Sequence, residues 1–139
     1  MRLLASTDLA LRVLMLLARR TDGDRMSVDA LARALGGLSR NHLHKIVQDL
    51  TALGITGTVR GTGGGVTLAV AADKVRLGTL VRHLEGDQPI VECFRQEGCD
   101  CTFMPDCRLR DMLRQARDGF YRTLDGYTLA DCLRGQAVV

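Results

Sequence analysis

Four cysteines crowded into fifteen residues, Cys93 to Cys107, constrain this chain more than any other feature. From Glu92 to Arg110 the sequence reads ECFRQEGCDCTFMPDCRLR. Gly98, Asp100, Pro105 and Asp106 predict a loop there, because these residues favour turns over helix or strand. A strongly amphipathic helix is predicted immediately after it. A cysteine-bearing loop at the foot of a helix is a cradle for a metal or a thiolate-bound cofactor. A disulfide framework fits poorly, since the chain reads as cytoplasmic, a compartment that keeps thiols reduced.

That compartment follows from what is missing. No run reaches the roughly eighteen apolar residues that a bilayer requires, so no membrane span is expected. Arg19 and Arg20 follow the apolar stretch Leu9–Ala18 rather than precede it, the wrong order for a secretory signal. With 139 residues the chain has room for one compact domain, or a small domain plus a dimerisation arm. Charge is unevenly placed: residues 1–85 carry 12 Lys/Arg against 7 Asp/Glu, and residues 86–139 carry 7 against 9. A basic first half suits a polyanionic partner.

Apolar spacing predicts a helix from a Ser6 or Thr7 cap to about Arg20, with Leu9, Val13, Leu14, Leu16 and Leu17 as its stripe. A polar turn, Thr21–Arg25, leads to a short helix, Val28–Leu35, capped by Ser27. Gly36 and Gly37 break it. A third helix, capped by Ser39, runs to about Leu53 with Gly54 as its terminator. Two short helices across a glycine turn make a helix-turn-helix. Two strand-like runs follow, Ile55–Val59 and Val66–Val70, around the glycine-rich tip Arg60–Gly65. Helix-turn-helix followed at once by a β-hairpin is a winged helix, and its third helix is the element that enters the DNA major groove. Ser39, Arg40, Asn41, His42, His44 and Lys45 supply polar groups on that helix. Arg pairs with guanine, Asn with adenine, and Lys45 meets phosphate. Arg60 reaches the minor groove or backbone, and amides of Gly63 and Gly64 approach phosphates. The glycines do not make a nucleotide loop, because Val66 stands where the last glycine of GxGxxG belongs.

Leu77–Leu84 reads as a fourth helix, ended by Gly86, and Arg108–Leu124 as a long fifth. The fifth carries Leu109, Met112, Leu113, Ala116, Phe120 and Leu124 on one stripe, with Arg110, Asp111, Arg114, Arg117 and Asp118 opposite. So long a stripe in so short a chain predicts pairing with a second copy, which also suits two half-sites of a palindromic operator. Thr128–Leu133 reads as a last helical turn. The expected class is thus mainly α with a small β-hairpin: a winged-helix DNA-binding unit over 1–86, a cysteine-rich loop over 87–107, and a dimerisation helix with its C-terminal segment over 108–139. No catalytic nucleophile–base pair or C-x-x-C motif suggests an enzyme.

Several motifs in this order give the chain a family resemblance. They are Thr7-Asp8-Leu9-Ala10-Leu11-Arg12, Ser39-Arg40-Asn41-His42-Leu43, the Arg60–Gly65 wing, Leu84-Glu85-Gly86, Cys107-Arg108-Leu109 and the run from Leu124 to Asp131. Together they resemble the Rrf-type bacterial iron–sulfur winged-helix regulators, and within them the nitric-oxide-sensing repressors. The resemblance covers nearly the whole chain. It implies a homodimer on an operator, a bound iron–sulfur cluster (4Fe–4S in preference to 2Fe–2S) and release of DNA when nitric oxide destroys the cluster. It further implies three cysteine ligands, Cys93, Cys101 and Cys107, in the spacing C-x7-C-x5-C. Cys99 is the alternative to Cys101, in the spacing C-x5-C-x7-C. One branch of the family has a His ligand where this chain has Arg110. The nitric-oxide-sensing branch takes an Asp from the partner subunit's first helix, and Asp8 stands at that place. The extra cysteine and the extra Gly37 depart from the pattern. Two other readings of the same residues remain: the same fold sensing iron, cluster supply or redox state, and a DNA-binding module in which Cys93, Cys99, Cys101 and Cys107 hold a structural zinc.

Overall fold

A computed structural model describes residues 2–20, 23–86, 88–95 and 99–135. Five α-helices and one two-stranded antiparallel hairpin follow in the order α1 (Ala5–Ala18), α2 (Val28–Ala34), α3 (Arg40–Ala52), β1 (Thr56–Val59), β2 (Gly65–Leu68), α4 (Leu77–Glu85) and α5 (Arg108–Asp125). One apolar core joins α1, α2, α3, β2 and α4, while α5 contributes no buried residue. Leu9, Val13, Leu14 and Leu17 of α1 meet Leu31 of α2 and Leu43, Ile46, Val47 and Leu50 of α3, with Val66 of the hairpin and Leu80 of α4 closing the sides.

Local signals explain most of the element ends. Ser27 caps α2 as its position suggested, its hydroxyl accepting from the Ala30 N–H at 3.1 Å. Both helices of the helix-turn-helix stop in the same way. At the end of α2, Gly36 N donates to the Arg33 carbonyl at 3.2 Å and Gly37 N to the Ala32 carbonyl at 2.8 Å. At the end of α3, Gly54 N donates to Thr51 at 2.9 Å and Ile55 N to Leu50 at 3.0 Å. This paired closure needs a left-handed residue, and Gly36 (φ +89°) and Gly54 (φ +72°) supply it.

The start of α1 differs from the expectation. Neither Ser6 nor Thr7 caps it: the helix begins at Ala5 behind Leu4, with no side-chain cap of its own. The Leu4 N–H instead donates to a carboxylate oxygen of Glu85, 2.9 Å away at the end of α4. A buried acid from a distant element thus replaces the local hydroxyl, and its charge suits the positive end of the helix. Ser39 precedes α3 as expected, but its side chain makes no capping bond.

The hairpin pairs Thr56 with Leu68 and Val59 with Gly65. Met26 adds a third line of pairing, exchanging N–H bonds with Val66 at 2.9 and 2.8 Å. Beyond the wing, α4 and α5 are fastened by Arg82, whose guanidinium donates to both oxygens of Asp125 at 2.7 and 2.6 Å and lies 4.9 Å from the Tyr121 ring centre. The chain then turns back. Leu129 N donates to the Val75 carbonyl at 2.9 Å, and the Leu129 side chain is fully buried against the core that α1 builds. A capping box opens this last 3-10 turn, Leu129–Leu133, with Thr128 N donating to Asp131 Oδ2 at 2.7 Å.

Candidate nucleic-acid interface and cysteine loop

The expected DNA-reading residues lie together on one exposed surface. Arg40, Asn41, His42, His44 and Lys45 are all exposed on α3, with Ser39 at its N-cap. Their exposure follows from the helix period, since Leu43, Ile46, Val47 and Leu50 take the inward face. Two of the cations are occupied in the free chain. Arg40 Nε pairs with Asp29 of α2 at 2.6 Å, and Lys45 with Asp49 at 3.0 Å. Both pairs are exposed, so phosphate or a base edge can replace them at small cost.

Between α3 and the wing runs a cleft of about 440 Å³, lined by His44, Gln48 and Thr51 on one side and Thr58, Val59, Arg60 and Gly61 on the other. Gln48 and Thr58 were not among the sequence candidates, although Gln48 follows His44 at i+4 on the same helix face. At the wing tip only glycine fits: a Cβ on Gly64 would collide with the Val59 carbonyl and lie 2.8 Å from that of Gly61. Gly63 takes the left-handed region at φ +74°.

The second candidate region is the loop between α4 and α5. All five cysteines are free thiols; Cys93, Cys99, Cys107 and Cys132 are half-buried and Cys101 is exposed. Cys107 is the residue that opens α5. The Cys101 carbonyl accepts from Met104 N at 3.0 Å, closing a turn before a cis Met104–Pro105 bond. Burial pushes the Cys132 thiol up from its ordinary pKa, with Asp131 adding to the shift, which disfavours Cys132 as a thiolate ligand. Asp8 lies on the exposed face of α1, paired with Arg12 at 2.9 Å. Among the described residues no three His, Cys, Asp or Glu side chains are gathered into a metal-binding group. The donors nonetheless fit an iron–sulfur cluster by type, since thiolates are what such clusters take.

The face of α5 opposite its apolar stripe is more than a solvated surface. Arg110, Arg114 and Arg117 are half-buried against the start of the cysteine loop. Arg110 Nε donates to the Cys93 carbonyl at 3.2 Å, and the guanidinium carbons of Arg114 and Arg117 lie 6.0 and 5.2 Å from the Phe94 ring centre. The stripe itself is left open at its N-terminal end, where Leu109 and Met112 are 62% and 56% exposed.

Residues 3–135 match the Rrf2 family, described as iron-dependent transcriptional regulators. The HTH-type transcriptional regulator NsrR of Geobacillus kaustophilus is 40% identical over 137 residues, covering 99% of this chain and 92% of its own. The HTH-type transcriptional repressor NsrR of Streptomyces coelicolor is 42% identical over 132 residues, covering 94% and 87%. Among solved structures, the fold resembles T. potens IscR with a TM-score of 0.76 at 22% identity, covering 96% of this chain and 87% of that one. It also resembles CymR, the global cysteine regulator of B. subtilis, with a TM-score of 0.74 at 23% identity, covering 95% of both.

Proposed function

The chain belongs to the Rrf2 family of transcriptional regulators, a DNA-binding winged helix and not an enzyme, and from that premise we propose that it is a homodimeric repressor whose grip on its operator is switched by an iron–sulfur cluster sensitive to nitric oxide. The observation that carries this reading is the placement of four free thiols between the DNA-reading unit and the exposed stripe of α5. Cys93 and Cys107 would hold the cluster at the two ends of the loop. The resemblance, through the five residues between Cys101 and Cys107, favours Cys101 as the middle ligand, while the half-burial of Cys99 speaks for the alternative. Asp8 of the partner's first helix completes the set.

The chain's own residues give the switch its logic. Ser39, Arg40, Asn41, His42, His44, Lys45 and Arg60 bind an operator firmly only when two copies present them at the half-site spacing. When bound, the cluster supplies iron that reacts with nitric oxide. A carboxylate holds such iron less firmly than thiolates do. Asp8 would hold one protomer's α1 to the other's loop, so this carboxylate would link the state of the cluster to how the two reading heads are held. Ligand state and DNA then bias one two-state arrangement, as allosteric coupling requires.

The test is the visible spectrum of protein purified without oxygen, followed through stoichiometric additions of nitric oxide with operator binding read in parallel. A brown protein that bleaches and releases DNA together is the expected outcome. A brown protein that keeps its DNA moves the signal to iron or cluster supply, and a colourless zinc protein makes the loop structural. Asp8→Ala should bind cluster less stably and lose the graded response. Cys99→Ser and Cys101→Ser, compared for cluster content, identify the middle ligand.

A further inference from the structure

We propose that Arg110, Arg114 and Arg117 form a positioning ladder that seats Cys93 on α5. This deepens the reading above and rests on it for its functional meaning. The three arginines fall at i, i+4 and i+7, which is one face of a helix. Each touches the Cys93–Phe94 segment in its own way. Arg110 fixes the backbone through the 3.2 Å bond to the Cys93 carbonyl. Arg117 lies against the Phe94 ring at 5.2 Å, its guanidinium held in place by two bonds to Asp118 Oδ1 at 3.1 and 3.0 Å. Arg114 approaches the same ring at 6.0 Å and is steadied by Asp111 at 3.0 Å. A ring held by two cations in this way is attracted through its π face rather than by apolar packing alone.

The placement matters because Cys93 and Cys107 are joined in two ways. One is the intervening loop. The other is direct, since Cys107 opens the same helix whose arginines hold Cys93. The ladder therefore sets the separation of the two end thiols without help from the middle of the loop. It also makes α5, the helix with the exposed apolar stripe, the element that feels any displacement of Cys93.

The experiment is alkylation of the metal-free, full-length chain by iodoacetamide, with the rate at each cysteine read by peptide mass spectrometry. Cys132 serves as an internal reference: it lies in the C-terminal turn, with its Sγ 3.9 Å from the Thr128 carbonyl. Phe94→Leu keeps an apolar side chain but removes the π face, and Phe94→Tyr keeps both. The expected result is that F94L speeds alkylation at Cys93 by about threefold, the scale of a partly exposed cation–π contact, and that F94Y does not. Arg110→Gln should speed Cys93 as well, through loss of the backbone bond. The ladder is overturned if F94L and R110Q leave Cys93 unchanged, if F94Y accelerates it as much as F94L, or if Cys93 and Cys132 accelerate together. Because the readout needs no cluster, it stands even for a chain that takes up no iron; failure of the cluster reading would show separately, as a colourless protein.

Discussion

Thr7 sits fully buried inside α1, and its hydroxyl has no hydrogen-bond partner among the described residues. An unpaired buried hydroxyl costs about 1–3 kcal/mol, so Thr7→Val, which keeps the shape, should raise the thermal midpoint. Calorimetry on the two proteins decides it, and a lower midpoint would mean that the hydroxyl is satisfied. Thr7 illustrates what one sequence can and cannot disclose. The Ser27 cap was legible because its partner is three residues away. The start of α1 was not, because its partner, Glu85, lies 81 residues on. Arg40 is a related case: its exposure follows from helical spacing, but its pairing with Asp29 does not. Asp29→Asn frees that guanidinium and removes a negative charge beside the DNA face. Operator affinity, followed by fluorescence anisotropy, should tighten by up to about fivefold, the scale of one exposed ion pair.

At the scale of elements, helix periodicity and turn chemistry made the helix-turn-helix and the wing readable, since both are encoded by neighbours in sequence. The fifth helix was read correctly in extent, but what its charged face packs against was not. Its charged side was placed opposite the stripe with no role given to it, yet Arg110, Arg114 and Arg117 lie against the loop, and the i, i+4, i+7 spacing was the signal available. The fastening of α5 to α4 has a pH signature. The Arg82 hydrogen bonds hold the Asp125 carboxyl below the ordinary carboxylate range, and bonds from Thr128 do the same for Asp131. A group depressed in the folded chain binds protons more readily when unfolded, so its contribution is present above the ordinary carboxylate pKa and is lost as pH falls through the lowered value. Arg82→Gln should therefore lower the thermal midpoint at neutral pH and flatten its fall in acid. Equal slopes in mutant and parent would remove Asp125 from the account. Gly78 belongs to the same junction: a Cβ there would strike the Asp125 carboxylate and sit 2.7 Å from its backbone N, so Gly78→Ala should loosen α4 from α5.

At the scale of the whole molecule, the exposed Leu109 and Met112 are one helical turn apart on α5 and suit the pairing of two copies proposed above. Met112→Glu should shift the protein toward monomer in sedimentation and weaken operator binding with it, since one reading head finds only one half-site. A dimer that persists would move the interface elsewhere. Residues distant in sequence are what a single sequence conceals at this scale, and Leu129 shows it best. It is wholly buried in the core built by α1, α2, α3, β2 and α4, although all of α5 lies between it and those elements in sequence. A growing polypeptide therefore completes this core only once residue 129 has left the ribosome, and a chain cut short before it should hold its reading helix less firmly.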